Sequence, residues 1–180
     1  GHFHQAHSFV RGNWRNREES APMILAKCCH DTDLVQWLIG KKCTRVSSFG
    51  NLTHFTRKNK PEGAPHRCIE GCPKADECPY NAVKLYFDDK ENEWFRTTAT
   101  ELANPTDADV EKALWEGPYG RCVYDCDNDV VDHQVVNMEF EGGAAATLTM
   151  CAFTQEIERV MRIMGTKGEL TASMETGTGK

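Results

Sequence analysis

The sequence predicts an α+β fold, an open and largely antiparallel β-sheet with helices packed on one face. Three patterns predict it. Residues 134–150, QVVNMEFEGGAAATLTM, alternate apolar and polar on both sides of a Glu141-Gly142-Gly143 turn, which is the signature of adjacent antiparallel strands. The run ERVMRIMGTKGEL repeats that pattern around Gly165-Thr166-Lys167-Gly168. Between Pro22 and Ile39, Leu25, Leu34, Trp37 and Leu38 supply apolar surface for a helix, with Pro22 suited to its first turn and Gly40 to its stop.

In chain order, a strand is expected near His4 to Val10, then the helix from Pro22 to Ile39. CTRVSSFGNLTHF reads as a strand interrupted at Gly50. Residues 57–82 are polar, rich in Pro and Gly and marked by cysteines, so they read as an inserted loop. Asn81 to Phe87 reads as a short helix or strand. Thr106 to Glu116 reads as a helix, with Asp107 and Asp109 favouring its first turn and Gly117-Pro118 ending it. Strands follow over Val135–Phe140, Ala144–Cys151, Arg159–Met164 and Glu169–Ala172, and Thr176 to Lys180 form a small, polar, frayed tail.

Chemistry concentrates on the Pro22–Ile39 helix. Lys27, His30 and Asp33 follow at three-residue spacing, so one helix face can aim them at one small volume. A positioned lysine and histidine are what moving a proton to or from a hydroxyl requires. The same residues have a plainer reading, with Lys27 and Asp31 as a surface ion pair and His30 as a hydrogen-bonded core residue. In GRCVYDCDNDVVDHQ, acidic side chains crowd the approach to a strand beside Arg121. Asp132 and His133 are candidate substrate contacts there, as are Trp14 and Arg15 with Arg11 and Asn13 in the leading loop, because sugar hydroxyls demand several donors and acceptors at once.

Cys68, Cys72 and Cys78 form C-x3-C-x5-C in a loop with little apolar surface. A structural zinc would compensate for that missing core, with Cys122, Cys126 or His66 as a fourth ligand; a disulfide pair or free thiols are the alternatives. Nine cysteines, an odd number, fit a reducing compartment and a cytoplasmic protein. The 180 residues fit one globular domain, and the net charge of −6 argues against a nucleic-acid surface. No run of about 18 apolar residues is present to span a membrane.

WRN, a loop, a helix carrying His30 and Asp33, and LVQWLIG resemble the C-terminal domain of the glucose–fructose oxidoreductase/inositol dehydrogenase (Gfo/Idh/MocA) family, whose helix reads D-x-G-x-H-x-x-D before an apolar W-L-x-G end. The alternating runs after residue 128, with turns like the family's F-x-x-G-A and G-T-x-G, extend the resemblance over nearly the whole chain. It places His30 on the family's catalytic histidine and Asp33 on the acidic residue after it. Ala26 stands where the family has an aspartate, with Lys27 next to it, and Ser20, Ala21 and Pro22 replace the usual turn glycines; Lys27 is therefore expected to share the proton relay.

The resemblance implies a dihydrodipicolinate-reductase-like fold over residues 1–180, a C-terminal substrate-binding and oligomerisation domain without its Rossmann half. No G-x-G-x-x-G occurs to hold a dinucleotide. The expectation is a piece of a longer polypeptide, inactive alone. An N-terminal Rossmann domain would bind NAD or NADP, a sugar, inositol or polyol would be the substrate, and copies would assemble through the sheet. A nicotinamide-dependent glycosidase of the same superfamily and a metal-stapled interaction module are the alternatives.

Overall fold

A computed structural model describes residues 2–154 and 158–175; the expected tail at 176–180 lies outside them. Among the described residues there are five α-helices, α1 (His2–Gln5), α2 (Met23–Ala26), α3 (Cys29–Ile39), α4 (Glu93–Thr100) and α5 (Asp107–Glu116). The five strands are β1 (Cys43–Asn51), β2 (His133–Phe140), β3 (Ala145–Cys151), β4 (Glu158–Gly165) and β5 (Gly168–Glu175). All pairings are antiparallel, so the expected class holds. The sheet is divided, however, into a three-stranded sheet β1-β2-β3 and a two-stranded sheet β4-β5.

The first correction concerns the opening segment. Instead of a strand, α1 runs into a π-helical turn, Ala6–Arg11, whose six residues are all buried. Ala6, Phe9 and Val10 stand at i, i+3 and i+4, a helical spacing hidden under an apparent alternation. Ala6 and Val10 pack with Phe55, Tyr80, Val123 and Ala152. Phe9 enters a second cluster with Met23, Cys28 and Val130. His7 meets a third: its Nδ1 pairs with the Tyr86 hydroxyl at 2.9 Å, and Tyr86 packs with Phe95, Val110, Leu114 and Tyr119.

The second correction divides the expected Pro22–Ile39 helix. The backbone N–H groups of Lys27 and Cys28 both donate to the Met23 carbonyl, at 3.0 and 3.2 Å, and the chain turns before α3 begins. The turn lets Met23 and Cys28 reach the same core, since both are 1% exposed. Gly40 closes α3 in the left-handed conformation, φ +63°, as its placement predicts. Ile24, Val35 and Ile39 cover one face of the three-stranded sheet, against Val136, Met138 and Phe140.

β1 runs without a break through Gly50, opposite Gln134. A Cβ there would stand 2.9 Å from the His133 carbonyl oxygen, so the glycine serves close strand approach rather than interruption. Residues 83–88 are π-helical, and the Asn81 side chain accepts from the Val83 and Lys84 N–H groups at 2.9 and 3.2 Å. In α5, Thr106 and Asp109 form a reciprocal capping box. The helix α4 carries no sequence expectation and packs Phe95 and Ala99 into the Tyr86 cluster.

The inserted loop is held by Arg11, which is 0% exposed. Its Nε donates to the Arg121 carbonyl at 2.7 Å, and Nη2 to the Tyr80 carbonyl at 2.8 Å and to Cys68 Sγ at 3.6 Å. Arg11→Met strands those two carbonyls, and a loss of about 3 kcal/mol is expected from two charge-assisted bonds of about 1.5 kcal/mol each; a lowered urea midpoint is the measurement.

Burial, with smaller contributions from His4 and Arg11, lowers the His7 pKa from 6.5 to about 4. His7 therefore folds neutral. Its contribution is complete above pH 6.5 and shrinks as pH falls toward 4, where the unfolded chain binds a proton that the folded chain refuses. In chemical unfolding between pH 6.5 and 4, His7→Gln should flatten the pH slope of stability by up to about 1.4 kcal/mol per pH unit, the value of one proton.

Candidate functional site

Lys27 occupies the turn between α2 and α3, half-buried, and His30 lies exposed in the first turn of α3. Asp33 follows one turn later, also exposed. The break at Lys27 places it at the helix junction rather than on the α3 face that bears His30 and Asp33. Asp31 pairs with Arg159 of β4, which removes it as a partner for Lys27. His30 Nδ1 meets Cys29 Sγ at 3.4 Å.

An aromatic wall adjoins Lys27. The His4 ring stacks on Trp94 at 6.2 Å and 15°, and lies 6.2 Å from Phe9. Phe9 in turn meets Trp14 at 5.5 Å. Trp14 and Trp94 are 46% and 51% exposed, so both offer indole faces outward. Burial first, and then the Lys27 ammonium, pull the His4 pKa down to about 4. A neutral imidazole, an ammonium and two exposed indoles suit a ligand with hydroxyl groups and an apolar C–H face. His4 and Trp94 escaped the sequence reading. The His4–His7 spacing of three would have exposed a helical face, and Trp94 sits in a short amphipathic helix whose buried Phe95 and Ala99 could have marked it.

The leading loop is fixed by carboxylates. Arg15 donates to Asp127 Oδ1 at 2.9 Å, and Arg121 donates to the same oxygen at 2.7 Å. The hydrogen bond from Arg15 leads in holding the Asp127 carboxyl well below the usual carboxylate range. Arg17 pairs with Asp129 at 3.1 Å, and the Asp129 N–H donates to the Arg15 carbonyl at 3.0 Å. Arg15 is thus engaged by protein, whereas Trp14 presents an open face. Gly12 starts the loop where a Cβ would fall 2.7 Å from the His7 carbonyl oxygen.

Asp125 forms the floor of a cleft of about 500 Å³ lined by Phe55, Arg57, His66, Arg121 and Asp127. Lys60 and Arg57 reach Asp125 at 2.8 Å and His66 at 3.0 Å. The Lys60 hydrogen bond is the main reason its pKa falls to about 2. The carboxylate therefore clamps the inserted loop to the approach of β2.

Asp132 and His133 lie together at the start of β2. Asp132 is fully buried, accepts from the backbone N–H groups of Thr53, His54 and Phe55 at 2.9, 2.6 and 3.3 Å, and receives His133 Nδ1 at 2.8 Å. His133 belongs to the sheet face opposite α2 and α3, on which Val135, Asn137 and Glu139 also lie. The structure therefore separates the Asp132–His133 pair from the Lys27–His30 region.

The described residues do not show the expected zinc site. Among the described residues no group of three or more His, Cys, Asp or Glu side chains is arranged to hold a metal ion, and Cys68, Cys72 and Cys78 are free thiols. The Arg11 guanidinium is seated against Cys68. Nor do the described residues offer a strand, glycine-rich turn and helix N-terminus that fits a dinucleotide pyrophosphate. No described helix is long and apolar enough to cross a membrane.

The chain is 23% identical over 180 residues to "Putative oxidoreductase YteT" of Bacillus subtilis (strain 168), an alignment covering 95% of the chain and 39% of that protein. It thus spans well under half the length of this relative. No solved structure matches. A family model described as the oxidoreductase family, C-terminal alpha/beta domain, matches residues 1–180, and with the α+β antiparallel architecture in place the chain belongs to that Gfo/Idh/MocA C-terminal family.

Proposed function

We propose that this chain is the substrate-binding half of an NAD(P)-dependent oxidoreductase that acts on a sugar, inositol or related polyol. One observation carries the reading: the Lys27 ammonium stands at the α2–α3 junction beside His4, whose ring belongs to an aromatic wall with Trp94, Phe9 and Trp14, and three residues before the histidine that the family resemblance marks. Trp14 and Trp94 would take the C–H face of a ring, and Lys27 would stabilise the charge developing on the reacting hydroxyl oxygen. His30 would accept that hydroxyl's proton, and Asp33 would favour the resulting imidazolium. A bound nicotinamide would supply the hydride acceptor, and a dinucleotide-binding domain beyond these residues would hold it. The described fold provides no cradle for it.

We assign self-association to the β4–β5 sheet rather than to the open face of β1–β3. Ile163, Leu170 and Met174 share one face of β4–β5 and are 39%, 51% and 45% exposed, while the open face of β1–β3 is mostly polar, with Ser47, Asn137 and Thr147 in one row. A second copy is the occupant that the family resemblance implies. Nine free cysteines support a reducing, cytoplasmic setting.

In the longer protein, assayed by nicotinamide absorbance over a panel of sugars and polyols, His30→Ala should lower turnover by about 100- to 10,000-fold, and Lys27→Met should do likewise. Reduced cofactor should accumulate mole for mole with oxidised product; if it does not, the zero-net-redox glycosidase is the better reading. Full activity in His30→Ala sinks the assignment. Leu170→Glu should lower the assembled mass measured by light scattering.

A further inference from the structure

We propose that Cys151, His133 and Asp132 form a second reactive site, a thiol served by an oriented imidazole, which exchanges with low-molecular-weight disulfides. It lies on the open face of the three-stranded sheet, opposite the helices that carry Lys27 and His30.

The strand register builds the site. His133 and Cys151 are directly opposite in the β2–β3 pair. The neighbouring opposed residues Asp132 and Ala152 share a backbone hydrogen bond, from the Ala152 N–H to the Asp132 carbonyl at 2.8 Å. Directly opposite pairs alternate between bonded and non-bonded types, so His133–Cys151 is of the non-bonded type, the one with Cα atoms about 4.5 Å apart and side chains closest. The same alternation is visible two pairs and four pairs along, where Val135 faces Thr149 and Asn137 faces Thr147; in the latter the side chains touch, Thr147 Oγ1 donating to Asn137 Oδ1 at 2.9 Å.

Orientation comes from Asp132. Its carboxylate, fixed by three backbone N–H groups, accepts from His133 Nδ1–H at 2.8 Å. That hydrogen bond puts the ring's lone pair on Nε2. The imidazole is 40% exposed and Cys151 is half-buried, so both are reachable. The Phe153 ring lies 6.5 Å from His133 and 5.2 Å from His54, closing one side. A carboxylate that orients an imidazole beside a thiol is the arrangement by which cysteine nucleophiles are activated. Two of the other thiols are closed off in the core. Burial pushes Cys28 and Cys122 up to about 11, which keeps them protonated and inert.

The step balances without a further oxidant. Cys151 Sγ–H gives its proton to His133 Nε2, and the thiolate attacks one sulfur of the small disulfide. That S–S bond breaks as the bond to Cys151 forms, one departing sulfur is reduced to a thiol, and it takes the proton back from His133.

The test is reaction of the full-length protein with oxidised glutathione at pH 7, with peptide mapping to follow each of the nine thiols separately. Cys151 should form the mixed disulfide at least tenfold faster than the half-buried Cys43 and Cys72. His133→Gln should slow Cys151 at least tenfold and leave Cys43 and Cys72 unchanged, and Cys151→Ser should abolish the fast adduct. A Cys151 rate no greater than those of Cys43 and Cys72 overturns the proposal, as does a fast adduct that survives in Cys151→Ser. If His133→Gln unfolds, shown by Cys28 becoming reactive, the wild-type rates and Cys151→Ser decide alone. None of these measurements reads the turnover that tests Lys27 and His30.

Discussion

The fold is organised around a buried cation. Arg11 ends the wholly buried Ala6–Arg11 turn, and its guanidinium reaches two segments: the cysteine-marked loop, through Cys68 Sγ and the Tyr80 carbonyl, and the approach to β2, through the Arg121 carbonyl. An isolated buried charge costs several kcal/mol in desolvation, so it persists only when polar groups surround it. Here those groups are two carbonyl dipoles and a thiol, and Nη1 has no hydrogen-bond partner among the described residues. Arg121 returns the contact, its Nη2 donating to the Arg11 carbonyl at 3.4 Å. The cysteine-marked loop is thereby tied to the middle of the molecule.

A second constraint is carried by the aspartates between residues 125 and 132. Asp125 holds Arg57, Lys60 and His66 of the insertion; Asp127 holds Arg15 and Arg121; Asp129 holds the backbone and side chain of Arg17; Asp132 holds the turn at residues 53–55. The stretch read from sequence as a candidate sugar-binding cluster also serves as a row of clamps to neighbouring segments. Charge-assisted bonds of this type are about twice as strong as neutral ones, and their effect is to fix Trp14 and Phe9 beside Lys27 and His4. Asp132 also orients His133, so one carboxylate serves packing and chemistry at once.

Strand positions from 133 onward were legible because sheet periodicity is exact: side chains alternate every residue, and Glu141-Gly142-Gly143 supplies positive φ at both glycines, +85° and +86°. Thr106 and Asp109 were equally legible, since a capping box is local chemistry. The opening segment was not. His-Phe-His-Gln-Ala-His-Ser-Phe-Val satisfies both a period of two and a helical period, and only burial by Tyr86, Phe55 and Met23 on three sides selects the helix. The break at Lys27 was hidden for a related reason, because Cys28 turns inward only where a core awaits it. What tethers the cysteine loop was not legible either, because Arg11 is 57 positions away from Cys68.

The distribution of satisfied and unsatisfied groups separates scaffold from site. Asp125, Asp127 and Asp132 find their partners within the protein, and most of those partners come from distant segments. Around Lys27 the pattern reverses: Trp14 and Trp94 turn half of their surface outward, and His30 and Asp33 stand exposed on a helix whose other side is covered by the sheet. π-helical turns are rare and recur at functional sites, and the one at Ala6–Arg11 carries His7 and Arg11 inward while α1 just before it sets His4 against Trp94. Rigid clamps behind an open aromatic wall are what the proposed substrate site requires, because a site needs its positioning groups fixed before ligand arrives.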